Sequence, residues 1–242
     1  MGEGLSTGTM WLLGLGLVVV IAVGVWLQTR KENRFQERKQ GMARRGGWQR
    51  LPVRVSTEDW SGAPFRPDER SYASEVTVAD RDGLRVFFLD YTFESTDQIM
   101  ADGRDAKHSH LVVGVDLPAS LPEVSFDTGL VAGLTTAVGG QDVTVGHPEI
   151  DRTWRITSPD ERFVTDLVRG PVADALTDPA LRGARLRIVG SSVLLWDKGF
   201  DLDKVPGTVQ RVEPALVTLA RAIPEQVLRA HGGPPRPLLP AA

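Results

Sequence analysis

The stretch LRVFFLDYTF at residues 84–93 is rich in β-branched and aromatic side chains, a composition that favours a β-strand. Just before it, EVTV at residues 75–78 alternates polar and apolar side chains, which is the period of a half-buried strand. Between the two lies DRDG at residues 80–83, a turn sequence whose glycine adopts positive φ without strain. The two stretches are therefore predicted to pair as a β-hairpin.

Further strands are predicted immediately after this hairpin. HLVVGVDL at residues 110–117 indicates a third strand, and residues 124–126 indicate a short fourth one. Pro118 and Pro122 bracket the intervening segment, which predicts a turn there. Residues 95–109 are polar and are expected to form a flexible excursion between the second and third strands.

Helices then alternate with short strands. Apolar residues at a spacing of four predict a helix over residues 130–138, and short strands are expected at 143–145 and 150–157. A second helix is expected to begin with Ser158 as its cap and to be broken or kinked at Pro171.

The last part of the domain combines a hairpin with a long helix. Residues 185–189 and 192–196 are predicted to pair across a two-residue turn. An amphipathic stripe predicts a helix over residues 205–227, with kinks or a division at Pro214 and Pro224. The pattern as a whole predicts an α+β fold, with a mostly antiparallel sheet covered by helices and by this long C-terminal amphipathic helix.

Residues 10–27, MWLLGLGLVVVIAVGVWL, contain no charged or strongly polar side chain. Eighteen helical residues extend about 27 Å, close to the ~30 Å hydrocarbon core of a bilayer. Trp11 and Trp26 lie near the two ends, where indole rings favour the headgroup boundary, and Arg30 and Lys31 follow. A transmembrane helix anchored by these four residues is expected; a cleaved signal peptide and a buried core helix are the alternatives.

Charge predicts the orientation of this helix. Residues 28–45 hold seven basic and two acidic residues, whereas the residues before the apolar run hold one acidic residue and no basic one. The positive-inside rule then places the N-terminus outside and the soluble domain in the cytoplasm. Residues 46–242 hold twenty-one basic and twenty-eight acidic residues, which argues against a nucleic-acid partner. The absence of cysteine excludes disulfides and thiolate metal sites.

These features predict four regions. They are an N-terminal tail with the transmembrane helix (1–29), a basic juxtamembrane segment (30–47), a soluble α+β domain (48–230) and a disordered Pro-rich tail (231–242). The domain is expected to start with a loop-rich segment whose aromatic residues pack onto it.

His108 and His110 form the most suggestive group for chemistry. At strand spacing their imidazoles face the same side and can share a metal ion, with His147 as a third ligand. Solvated loop histidines are the simpler interpretation. No nucleophile elbow, phosphate-binding loop or dinucleotide-binding motif is present in the sequence. No catalytic residue and no cofactor is therefore assigned.

The aromatic side chains of the second strand suggest a different alternative. They are Phe87, Phe88, Tyr91 and Phe93. They can form an ordinary core beneath the helices, or they can line an apolar pocket for a lipid or small molecule.

Several short stretches carry a family resemblance. They are Arg44 to Trp48 (RRGGW), Val86 to Phe93, Leu117-Pro118 with Leu121-Pro122, Gly139 to Asp142 and Trp154 to Asp160. On these stretches, over roughly residues 44–230, the chain resembles uncharacterised actinobacterial membrane proteins with one N-terminal helix and a soluble domain. The block at 150–200 is also similar to a broader bacterial domain of unknown function. The resemblance implies one domain in a membrane context and brings no activity with it.

Taken together, the sequence favours a membrane-anchored, non-catalytic domain that binds a protein partner or acts as a scaffold at the cytoplasmic membrane face. Two alternatives remain open: a lipid or small-molecule binding domain, and a metal-dependent enzyme. The oligomeric state and the identity of the partner are not encoded in any pattern described above.

Overall fold

The computed structural model describes residues 46–52, 55, 60, 64–65, 70–99, 105–128, 141–198 and 204–236, together with Val23, Trp26, Thr29 and Arg30. The chain forms two compact units, Met1–Arg45 and Gly46–Ala242. In the first unit, the four described residues are helical, and the Arg30 guanidinium carbon lies 4.9 Å from the centre of the Trp26 ring.

No helix within these described ranges is both long enough and apolar enough to cross a membrane. The predicted span at residues 10–27 lies outside the described residues, except for Val23 and Trp26. Trp11 and Lys31 lie outside them as well. The span and its anchor residues therefore stay predictions.

The second unit is built on an antiparallel sheet that has seven strands in the described residues. The strands are β1 (Gln49–Arg50), β2 (Arg70–Arg81), β3 (Leu84–Ile99), β4 (Asp105–Thr128), β5 (Gln141–Val143), β6 (Trp154–Ser158) and β7 (Arg185–Lys198). They pair in the order β1-β2-β3-β4-β6-β5, and β7 also pairs with β4. The helices are α1 (Pro148–Thr153), α2 (Glu161–Leu167), α3 (Pro171–Leu176), α4 (Val205–Ala222) and α5 (Glu225–His231). The expected α+β fold with a mostly antiparallel sheet is thus confirmed.

The turn predicted between Pro118 and Pro122 is wrong, because β4 runs through both prolines as one strand of 24 residues. Its pairing with β7 shifts register between Asp116 and Leu121 and again between Leu121 and Val124. Such irregularities tolerate proline, since a residue that is not paired in the ladder needs no amide donor.

The hairpin predicted around Gly190 is also wrong. β7 is continuous, and Gly190 adopts a φ of 55° directly opposite Leu121, at the irregular part of β4. The glycine therefore bends one strand instead of reversing the chain.

The structure differs from the sequence predictions in three smaller respects. β3 extends to Ile99 and β4 begins at Asp105, so strands occupy most of the expected excursion at 95–109. The first half of the strand expected at 150–157 is the helix α1, because Pro148 favours the first helical turn. The helix α2 is capped by Asp160, whose carboxylate accepts the Phe163 amide, whereas Ser158 ends β6. The helix predicted at 130–138 lies outside the described residues.

One face of the sheet carries an aromatic cluster. Phe87, Tyr91 and Phe93 point to it from β3, and Trp196 reaches it from β7. The leading segment covers this face with Val55, Trp60 and Phe65, as expected for its aromatic residues. The Phe65 ring centre lies 5.1 Å from that of Tyr91 and 5.3 Å from that of Trp196, and both pairs are edge-to-face. Such packing is worth about 0.5–1.5 kcal/mol per pair beyond burial.

The opposite face is closed by the long helix α4 and by Trp48. The helix contacts β3 and β4, and its apolar stripe is buried, including Val209, Val212 and Leu216. The Trp48 ring packs edge-on against Phe88 with centres 5.1 Å apart. Both faces of the central sheet are therefore buried, which explains why residues 86–89 form an unbroken apolar run instead of alternating.

We expect Gly114 to be intolerant of a side chain. It pairs with Phe87, and a Cβ at Gly114 would overlap the Phe87 ring, which is fully buried. Gly114→Ala should therefore lower the free energy of unfolding by about 1–3 kcal/mol, measured by urea denaturation of the full-length chain.

Gly207→Ala in α4 is the matched control, because a Cβ at Gly207 meets nothing within 4 Å. That change should stabilise the chain by about 0.5–1 kcal/mol, since alanine favours a helix more than glycine does. Equal effects of the two substitutions would contradict the packing of Phe87 over Gly114.

Candidate functional site

Charged side chains lie on the half of the sheet formed by β4, β6 and β7. The aromatic cluster lies on the other half. Glu123, Ser125 and Asp127 alternate along β4 and so share one face. On the neighbouring strands, Arg187 of β7 lies opposite Ser125, and Arg155 of β6 lies opposite Asp127. We call these five residues the charged cluster.

Arg187 is the centre of the charged cluster. Its side chain is 3% exposed. Its Nε donates to the Ser125 hydroxyl at 2.8 Å and lies 3.6 Å from a carboxylate oxygen of Glu123. Its guanidinium carbon also lies 5.1 Å from the centre of the Trp196 ring and 5.7 Å from that of Phe65. Arg187 therefore connects the charged half of the sheet to the aromatic cluster through cation–π contacts.

Burial raises the pKa of one group in the charged cluster and lowers the pKa of another. Desolvation raises the pKa of the Asp127 carboxyl above its ordinary value, although Arg187, Arg185 and Arg155 each act to lower it. Desolvation likewise lowers the pKa of the Arg187 guanidinium, against the opposing effects of Glu123 and Asp127. The cost of removing these charges from water thus exceeds the help they receive from one another.

Two buried polar atoms beside Arg187 have no hydrogen-bond partner in the part of the chain that the structure describes. They are Oδ1 of Asp127 and Nε1 of Trp196. Each such atom typically costs about 1–3 kcal/mol. The charged cluster therefore costs free energy, and it joins β4, β6 and β7 to the rings of Phe65 and Trp196.

Arg155 joins the charged cluster to a solvent-exposed ion pair with Asp142. Two nitrogens of Arg155 donate to the two carboxylate oxygens at 2.9 Å and 3.0 Å, and the hydrogen bond raises the pKa of Arg155. A cleft of about 250 Å³ lies beside this pair and is also lined by Asp151, Arg152 and Trp154. Its volume is below the roughly 300–1,000 Å³ of typical small-molecule sites.

Two of the three candidate metal ligands pack against the same aromatic ring. His108 and His110 both stack on Phe93, with ring centres 4.9 Å and 5.8 Å from it. His147 instead caps α1, where its Nδ1 accepts the Ile150 amide at 3.4 Å. It precedes β6, which pairs with the far end of β4, so His147 is separated from the other two by most of that strand.

No group of three or more histidine, aspartate or glutamate side chains suited to a metal ion occurs among the residues with described positions. The aromatic residues that suggested an apolar pocket, Phe87, Phe88, Tyr91 and Phe93, are each at most 8% exposed. They pack against one another or against Trp48, Trp60 and Phe65. A ligand in this place would have to displace those rings.

Sequence reasoning missed the charged cluster. A signal was available, because Arg187 lies next to the apolar residues Leu186 and Ile188 in RLRIV at residues 185–189. A charge in the middle of an apolar strand indicates either a solvated face or a buried ion pair. Separating these two required knowing that Ser125 and Glu123 lie on the neighbouring strand.

Replacing Arg187 should test the charged cluster directly. Arg187→Met leaves Glu123 and Asp127 without their buried counter-charge, so the free energy of unfolding should fall by about 3–5 kcal/mol in urea denaturation. Arg187→Met combined with Glu123→Gln and Asp127→Asn should recover most of this loss. A loss below about 1 kcal/mol for the single variant would contradict a buried network.

The raised pKa of Asp127 predicts a pH dependence. The protonated Asp127 carboxyl contributes to stability below the unfolded-state pKa of about 3.9. This contribution is lost as the pH rises through the folded-state pKa. Asp127→Asn removes that loss, so the variant should gain stability relative to the wild type between pH 3 and pH 7, measured by thermal unfolding.

Asp166→Asn is the control of opposite sign. The hydrogen bond from His231 lowers the pKa of Asp166, so that carboxylate stabilises the fold above its unfolded-state pKa and less at lower pH. The Asp166 variant should therefore lose stability relative to the wild type over the same pH range. Parallel behaviour of the two variants would contradict the assignment for Asp127.

Comparison with known proteins identifies the fold. No family model matches the chain, and no curated protein matches it. The structure is similar to the crystal structure of the mycobacterial trehalose monomycolate transport factor A, TtfA, with a TM-score of 0.54 and 12% sequence identity. The match covers 84% of this chain and 98% of that one. At this identity the likeness is one of fold, and its mycobacterial source agrees with the coarse actinobacterial resemblance seen in the sequence.

Proposed function

We propose that the chain is a single-pass membrane protein whose cytoplasmic domain binds a protein partner and takes part in transport without catalysis. The observation that carries this proposal is the fold likeness to TtfA, a transport factor, which covers 98% of that structure. The apolar run at 10–27 and the basic residues at 28–45 support the anchored arrangement, with the N-terminus outside.

The positions of the histidines support a non-catalytic role. All four histidines of the chain make structural contacts. His108 and His110 stack on Phe93, and His147 caps α1. The fourth, His231 at the end of α5, pairs with Asp166 of α2 at 3.0 Å. Each of these contacts gives the histidine concerned a structural role.

The region boundaries belong to the same proposal: membrane helix within 1–29, basic segment 30–47, domain 48–230 and tail 231–242. The division of the chain into Met1–Arg45 and Gly46–Ala242 is in keeping with a boundary near Gly46. The first residues of the tail contact the domain, because Gly233 pairs with Ser120 of β4.

Single cysteines provide a clean test of topology, because the chain has none of its own. Arg182→Cys is suitable in the domain, since Arg182 is exposed, and Gly4→Cys marks the N-terminus. A membrane-impermeant maleimide should label Gly4→Cys in intact cells, and Arg182→Cys after permeabilisation. Labelling of Arg182→Cys in intact cells would overturn the cytoplasmic assignment.

Membrane anchoring and partner binding are tested together by crosslinking in cells. Val20→Arg places a charge in the middle of the apolar run, at a cost of about 2.5–3.5 kcal/mol for insertion. The wild-type chain should fractionate with membranes and yield a reproducible crosslinked protein, whereas the Val20→Arg chain should lose both. A wild-type chain that yields no such protein would contradict the proposal.

A further inference from the structure

The last helix, α5, is attached to the domain by a small apolar surface. It is seven residues long, contacts α2 and β4, and buries Val227. An element that buries little apolar surface belongs to the least stable part of a fold. Each further contact that α5 makes therefore has a large effect on whether the helix stays in place.

His231, the final residue of α5, provides such a contact. Its Nε2 lies 3.0 Å from a carboxylate oxygen of Asp166 in α2. Its ring also packs edge-on against the buried ring of Phe163, with ring centres 5.4 Å apart, and 11% of its side chain is exposed. A polar contact in such surroundings is stronger than the same contact in bulk water. We call His231 and Asp166 the latch.

The latch comes directly before the point where the chain leaves α5. The Gly232 amide donates to the Leu228 carbonyl at 2.9 Å, which ends the helix, and the Gly233 amide donates to the Ser120 carbonyl of β4 at 2.7 Å. Ala119 is the other β4 residue beside this turn, and neither it nor Ser120 carries a charge. The two glycine amides therefore report whether the end of α5 is held in place.

The charged groups around the latch lie on α2 and on α5 itself. Arg169 lies 3.8 Å from the second carboxylate oxygen of Asp166, and Arg162 also acts on this carboxylate electrostatically. Glu225 and Arg229 of α5 pair with each other at 2.8 Å and are both mostly exposed. Among the described residues, Asp166 is thus the acidic group in contact with the imidazole of the latch.

The charge on the latch depends on pH. The hydrogen bond from His231 lowers the pKa of Asp166, so this carboxyl is ionised in weakly acid and in alkaline solution. Histidine side chains in general change charge between about pH 5 and about pH 8. At the acid end of this range the contact is an ion pair, and the negative end of α5 also attracts the cation. At the alkaline end only a hydrogen bond from a neutral ring remains, which is roughly half as strong.

We propose that the latch is a pH-sensitive switch, which holds α5 and the start of the C-terminal segment on the domain at weakly acid pH and loosens them as the pH rises. A histidine that gains a carboxylate partner on folding contributes stability at low pH, and that contribution is lost when the ring becomes neutral. The switch requires neither a membrane nor a partner, so it goes beyond the proposed function and does not rest on it.

Hydrogen exchange of the full-length chain at about pH 5.5 and about pH 8.5 tests the switch. The readout is the protection factor of the Gly232 and Gly233 amides, which is the exchange rate of an unstructured chain at the same pH divided by the observed rate. Both factors should be about three- to tenfold higher at the lower pH, because the ion pair is the stronger contact. Protection factors that agree within about twofold at the two pH values would overturn the proposal.

Variants of the latch separate its charge from its shape. His231→Gln keeps a hydrogen-bond donor without a charge, and Asp166→Asn removes the carboxylate. Each should lower the protection factors at about pH 5.5 to within about twofold of the wild-type values at about pH 8.5. Arg169→Gln is the matched control, because it removes the other charge beside Asp166, and it should keep the wild-type pH dependence. A His231→Gln chain with the full pH dependence, or an Arg169→Gln chain without it, would contradict the switch.

Discussion

The domain depends on the continuity of β4, which pairs with β3, β6 and β7. A strand has two edges, and β7 follows β4 on both sides of its irregular middle. The other two strands must therefore share the remaining edge, with β3 on the first half and β6 on the second. The register shifts near Leu121 allow this change of neighbour, and the gap that they leave is where Gly233 pairs with Ser120.

This arrangement gives one sheet two different halves. The first is buried on both faces, by aromatic rings on one side and by α4 on the other. The second carries the charged cluster, and Arg187 connects the two through Trp196 and Phe65. A buried ion network rarely adds net stability over apolar packing, but it opposes alternative pairings. A slip of one residue in β7 would turn Arg187 toward the opposite face and remove its partners.

The sequence predicted the local elements well where periodicity and turn chemistry agree. Val76, the turn at Gly83 and the run ending at Phe93 indicated the β2–β3 hairpin, which the structure has. It failed where long-range pairing overrides a local signal: Pro122 and Gly190 indicate turns on their own, yet each lies inside a continuous strand of the sheet. The charged cluster could not be predicted for the same reason, since Arg187 and Ser125 are 62 positions apart in the sequence and meet only through strand pairing.

Hydrogen exchange of backbone amides in the full-length chain tests most directly whether β4 unites the domain. If it does, the slowest amides of Leu111–Val115 and those of Val124–Phe126 should exchange through one global opening, with free energies equal within about 1 kcal/mol. The Gly233 and Arg236 amides should exchange much faster, through local release of the tail. Two halves of β4 that open with clearly different free energies would contradict the account, because the aromatic and charged halves would then be separate folding units.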